Sequence, residues 1–132
     1  MYKNILCAVD LTEESYKIIE KAISLKDQFD SDLSIIHIFE YSLLPKNYQK
    51  QLEDEKRPLM EQLGEKFGID KKHRHIKFGQ SHRIICDLAK EKQYDLIVLG
   101  SHGKNGIQNL LGSTANGVVQ QANCDVLLIK AT

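Results

Sequence analysis

Glycine and hydroxyl residues gather in one short stretch of the chain: Gly100-Ser101-His102-Gly103 and then, after the eight residues Lys104 to Leu111, Gly112-Ser113-Thr114. Glycines let a backbone approach an anion closely, and the first N–H groups of a helix point at it with a favourable dipole. The stretch follows Asp95-Leu96-Ile97-Val98-Leu99, which reads as a buried strand, and precedes Ala115 to Ala122, which reads as a helix behind a Ser113 cap. Strand, glycine-rich loop and helix N-terminus in that order can bind phosphate. The loop is not a Walker loop, because G-x-x-x-x-G-K-[ST] is absent. Nor is it the Rossmann dinucleotide fingerprint, because its glycines follow the fourth strand and not the first.

Other residues could add to this chemistry. Asp10, at the end of the first strand, serves either as a turn or capping residue or as a carboxylate facing the cleft, where it would accept hydrogen bonds from ribose or adenine or touch a metal indirectly. His102 could contact phosphate or stand in solvent, and Lys104 reads as an exposed loop lysine. His73 and His75 share a strand face but lack further ligands, which makes a weak metal site. His37, inside an apolar strand, reads as a hydrogen-bonded core residue, and His82 as a surface residue. Ser-His-Asp order, the G-x-S-x-G elbow and H-E-x-x-H are all missing, which argues against an enzyme. A phospho-receiver site would use Asp10, Ser101 and Lys130, but it needs an acceptor aspartate where the chain has Phe78-Gly79-Gln80.

Five strand-like runs alternate with four helical ones and must position these groups. The strands are Ile5–Asp10, Leu33–Phe39, His73–Phe78, Leu96–Leu99 and Asp125–Ile129. Four of them are near-continuous apolar runs, the mark of a sheet covered on both faces; the third, with His73, Arg74, His75 and Lys77, looks like an edge. Strict alternation means an α/β fold with an open, twisted, parallel sheet and helices on both faces. Two windings fit, 3-2-1-4-5 and 2-1-3-4-5, and a polar third strand favours the first. That order puts the topological switch between strands one and four, where Asp10 and the Gly100 loop meet. It also leaves strand five at the opposite edge. Val126, Leu127, Leu128 and Ile129 would be an aggregation hazard if bare, so two copies are expected to pair there as a homodimer.

Within the helices, Thr12 is expected to cap the first, with Ile18, Ala22, Leu25 and Phe29 as its buried stripe. Pro58 should kink the second helix, Tyr48 to Phe67, or start a new segment. Tyr41 to Lys50 reads as the longest irregular connection. Ile84, Ile85, Leu88 and Ala89 share a face of the third helix, and Val118, Val119 and Ala122 a face of the fourth.

The 132 residues are read as one domain, residues 1–132. Eighteen basic residues balance eighteen acidic ones, so no global field recruits nucleic acid or an anionic membrane. No apolar run approaches the roughly 18 residues of a membrane span. Three cysteines, Cys7, Cys86 and Cys124, without C-x-x-C spacing fit packing roles in a reducing, cytoplasmic compartment.

Met1 to Thr12, the Ile36-His37-Ile38 strand, the Gly100 to Ser113 loop and the ending Ala122 to Ile129 together resemble the universal stress protein family, UspA type. The resemblance runs the full length of the chain. It implies a Rossmann-like, adenine nucleotide alpha hydrolase-like sheet in the order 3-2-1-4-5, a homodimer through the last strand, a cytoplasmic location and induction under stress. Members that bind ATP resemble G-x-x-G, nine residues, then G-[ST]. Carried over, Ala8, Val9 and Asp10 would flank adenosine, and Ile38 would line the adenine. Leu99, Gly100, His102 and Gly103 would hold ribose and phosphates, with Gly112, Ser113 and Thr114 on the phosphates. ATP, with Mg, is then the expected ligand, in a sensory or regulatory role. The chain departs from the pattern by one residue, eight in place of nine. Two alternatives stay open: a UspA-like member with no nucleotide, acting through protein contacts, and a slow ATPase or autophosphorylating protein using Ser101, Ser113 or Thr114.

Overall fold

The computed structural model describes residues 1–40, 45–101 and 111–130. Its elements are β1 (Asn4–Ala8), α1 (Glu14–Phe29), β2 (Asp32–Phe39), α2 (Lys46–Phe67), a 3₁₀ turn (Lys71–His73), β3 (Arg74–Phe78), α3 (Ser81–Glu91), β4 (Leu96–Gly100), α4 (Ser113–Gln121) and β5 (Asp125–Ile129). The strands form a five-stranded sheet in the order β3-β2-β1-β4-β5, with every pairing parallel. The expected winding is the one adopted, with the polar β3 at one edge and β5 at the other.

The apolar runs are continuous because each strand feeds two cores. Along β1, Ile5 and Cys7 face α1 and α2, joined there by Leu33, Ile35, Leu96 and Val98. Leu6, with Ile36, Ile97 and Leu99, faces α3 and α4 on the other side. Ile5, Leu6 and Cys7 of β1 and Leu96 to Leu99 of β4 are therefore buried, and burial pushes the Cys7 thiol up to about 12. All three cysteines are free thiols. Among the described residues no helix is long and apolar enough to cross a membrane.

Several local expectations are corrected. Val9 and Asp10 lie beyond the end of β1, although the Val9 N–H still donates to the Ile36 carbonyl at 2.9 Å. Helix α2 begins at Lys46, directly after Pro45, so the stretch from Lys46 to Lys50 of the expected irregular Tyr41–Lys50 connection is helical; residues 41–44 lie outside the described residues. No new segment starts at Pro58, which sits inside α2. Pro58 and Asp54 are both exposed, so proline lies on the solvent side of the helix, where its lost hydrogen bond costs least. His73 belongs to the 3₁₀ turn and not to β3, so the supposed His73–His75 strand face does not exist. Val119 is 48% exposed; the buried face of α4 is Ala115 and Val118, with Ala122 beside them.

His82 is half-buried and not a surface residue, because its ring packs on Gly117 of α4. A similar close approach places the Arg74 guanidinium against Gly64 of α2 while its Nε donates to the Ile69 carbonyl at 2.7 Å. Gln93, in the turn between α3 and β4, has φ +57°, a left-handed conformation that costs a side chain with a Cβ about 1 kcal/mol. Gln93→Gly should therefore stabilise the fold by about 0.5 kcal/mol after glycine's greater unfolded-state entropy is charged against it. Thermal unfolding at matched concentration checks this.

Candidate functional site

The carboxyl ends of β1, β2 and β4 open on a cleft of about 940 Å³. It lies where the chain crosses from the β1–β2–β3 half of the sheet to the β4–β5 half, the expected position for a ligand in an open α/β sheet. The volume is within the usual range for small-molecule sites. Of the residues predicted from sequence, Ala8, Val9, Asp10, Ile38, Leu99, Gly100, Gly112, Ser113 and Thr114 all line it. His102 and Gly103 lie outside the described residues, as does Lys104.

The wall on the β4 side is built by Leu99, Gly100 and the start of α4, with Ser101 buried behind it. Ser101 is 6% exposed, and its N–H donates to the Ile129 carbonyl of β5 at 2.9 Å. Its own carbonyl accepts from the Gly112 N–H at 2.9 Å. Ser101 and Gly112, at the two ends of the glycine-rich stretch, are thus clamped together. Gly112, not Ser113, is the N-cap of α4: its carbonyl accepts the first helical bond, from Asn116 N–H at 2.9 Å, with no side-chain cap. The helix leaves the N–H groups of its first turn without an intrahelical carbonyl. Ser113 and Thr114 add hydroxyls at the same point of the cleft.

The floor is the turn after β1. Asp10 Oδ1 accepts from the Thr12 N–H at 3.0 Å, the Thr12 hydroxyl at 2.6 Å and the Ser15 hydroxyl at 2.5 Å. Ser15 Oγ in turn accepts from the Asp10 N–H at 2.9 Å. Thr12 is therefore not a side-chain cap of α1; Asp10 organises the turn instead, which was the structural alternative for this carboxylate. These bonds hold Leu11 at φ +64°, a conformation that costs about 1–2 kcal/mol for a residue with a Cβ. Asp10 both closes this turn and lines the cleft.

The β2 side carries groups that sequence reasoning missed. His37, read as a core residue, also lines the cleft, and its Nδ1 lies 2.8 Å from the Val9 carbonyl. A carbonyl only accepts, so Nδ1 carries the hydrogen in this contact. Phe39 packs edge-on to His37 and stacks on Phe78, giving the end of β2 an aromatic backing. Glu40 Oε1 accepts from the Ser81 N–H at 3.0 Å, so a residue just past β2 caps α3 from a distance. Leu52, Lys56 and Leu59 close the cleft from α2; their i, i+4, i+7 spacing was the available signal. Lys56 is the one lysine or arginine among the described lining residues. Among the described residues, no three or more His, Cys, Asp or Glu side chains gather where they could hold a metal ion.

A model of the universal stress protein family matches residues 1–130. The chain is 36% identical over 139 residues to universal stress protein A homolog 2 of Coxiella burnetii, covering 98% of this chain and 95% of that protein. It belongs to the universal stress protein family. The fold agrees: the universal stress protein UspA from Lactobacillus plantarum superposes with a TM-score of 0.79 at 25% identity, covering 98% of each chain. A universal stress protein solved in complex with cAMP superposes with a TM-score of 0.75 over 99% of this chain and 98% of that one. At 18% identity, that second likeness bears on the fold alone. Within this universal stress protein the cleft at the β1/β4 switch gathers the polar groups described above.

Proposed function

We propose that this universal stress protein binds an adenine nucleotide, ATP with Mg foremost, as a sensory or regulatory module of a stress response. The observation that carries the reading is the Gly112–Ser101 clamp, which sets the α4 N-terminus beside Gly100 at the mouth of the cleft. Backbone N–H groups and the Ser113 and Thr114 hydroxyls would hold the phosphates there. Ala8, Val9 and Asp10 would flank the adenosine, and Ile38 would line the adenine. His102 and Gly103 would join from the loop. Mg would arrive with the phosphates, because it is usually held by one or two carboxylates plus substrate phosphates and not by an all-protein cage. The family relative solved with cAMP gives precedent for a nucleotide on this fold.

The turn bonds of Asp10 tie its Oδ1 to structure, and the other carboxylate among the described lining residues, Glu40, is engaged by the Ser81 N–H at the α3 start, away from the α4 end. The role assigned is therefore binding, not turnover. The reading includes a cytoplasmic setting, in keeping with the free cysteines, and a homodimer through Val126 to Ile129. Strand β5 is an edge with Val126, Leu127 and Leu128 each partly exposed, as a pairing surface requires. Light scattering at micromolar concentration should give twice the chain mass; a monomer would remove the dimer from the account. Chromatography of nucleotide released from the purified, denatured protein tests the main reading. Adenine nucleotide approaching one per chain is expected. A preparation that is empty and takes up none on incubation would favour the family reading without a ligand.

A further inference from the structure

Two helix N-termini, not one, face the cleft. Ser81 at the start of α3 and Ser113 at the start of α4 both line it. Each is electropositive and each could attract phosphate. They differ in what already sits on them. The α3 end has no cap from its own N-cap residue, Gln80, and receives the Glu40 carboxylate instead. Among the described residues the α4 end has no side-chain cap, and its first turn carries no acidic residue. Glu40 also stands at the β2 end of the cleft, two strands away from Gly100 across β1. Two strand spacings make roughly 10 Å, about the reach of a nucleoside from its 5′ oxygen to the far edge of its base.

Building on the nucleotide reading above, we propose that Glu40 is a specificity residue that fixes which way round the ligand lies and which base it carries. Its negative charge excludes phosphate from α3 and leaves α4 as the anion end. With Oε1 held by the Ser81 N–H, Oε2 is the oxygen left to meet a ligand, and an ionised carboxylate only accepts. The base edge opposite must donate. The ligand class is therefore a nucleotide with an exocyclic amine on the base, such as adenine, in preference to one with a carbonyl there, such as hypoxanthine.

The test is the affinity of the full-length protein for ATP and for inosine triphosphate, measured by calorimetry in the native chain and in Glu40→Gln. A hydrogen bond to a charged group is worth about a tenfold preference at a partly exposed site, so the native chain should favour ATP by about that factor. Glutamine can keep the Ser81 bond through its carbonyl oxygen, which then aims its NH₂ at the ligand. An acceptor becomes a donor at the same place, so Glu40→Gln should narrow or invert the preference. Unchanged thermal unfolding would show that the α3 cap survives. Equal affinity of the native chain for both nucleotides overturns the proposal without needing the variant. A native preference that Glu40→Gln leaves intact overturns it too, while the nucleotide site itself stands. Failure of both nucleotides to bind the native chain removes the underlying reading and the proposal with it.

Discussion

Replacing Ser113 with aspartate is expected to stabilise the fold by about 0.5 kcal/mol and to weaken Mg-ATP binding about tenfold. The two effects have opposite signs because one feature, the positive end of α4, produces both. Ser113 is the first helical residue and is exposed at the cleft, and the first turn holds no acidic side chain. A carboxylate there completes the dipole as it does at most helix starts. It also stands where the phosphates are proposed to bind. Two like charges about 5 Å apart, at an effective dielectric near 20, repel by about 3 kcal/mol. Exposure and salt reduce this to about half, which is the tenfold loss. Thermal unfolding and calorimetry on one preparation read both numbers. A variant more stable than the native chain with undiminished affinity would put the phosphates somewhere other than α4.

Gly117→Ala should destabilise the protein by about 1–2 kcal/mol, against the rule that alanine is the better helix former by about 1 kcal/mol. The reversal comes from His82. A methyl group on Gly117 would approach within 2.7 Å of the His82 Cβ and Nδ1, closer than real side chains come. Relief requires α3 and α4 to part or the imidazole to leave its place. For a chain of this size the midpoint of thermal unfolding should drop by about 5 °C. The His82→Ala background supplies the control: with the ring gone, Gly117→Ala should turn stabilising by about the propensity difference. A destabilisation that persists without His82 would assign the glycine some other role. Because Gly117 is one turn from Ser113 and His82 is next to Ser81, this contact also sets the separation of the two helix starts at the cleft. Nucleotide affinity should fall with stability in the single variant.

The sheet was legible because its strands carry their own burial record. Ile5, Leu6 and Cys7 are apolar in succession since alternate residues enter different cores, and only a sheet covered on both faces demands that. The charges of β3 gave away its edge position, and with it the strand order and the switch point. Helix starts were harder. Thr12 and Ser113 are good capping types, yet Glu13 and Gly112 are the N-caps and neither gives a side-chain cap, because backbone geometry and not residue type selects the position. Of the two outcomes expected at Pro58, a new segment does not occur, because α2 runs unbroken from Lys46 to Phe67. The β1 and β4 parts of the site could be read from motif residues. Glu40 on Ser81 and His82 on Gly117 join distant segments, so no spacing rule reaches them. Their signal is visible only after the topology has brought β2, α3 and α4 together.

The central claim is that the cleft between β1 and β4 holds an adenine nucleotide, and a calorimetric titration of Mg-ATP into the folded, nucleotide-free protein tests it most directly. The account predicts saturable heat with one nucleotide per chain. A folded protein that gives no saturable heat would contradict it.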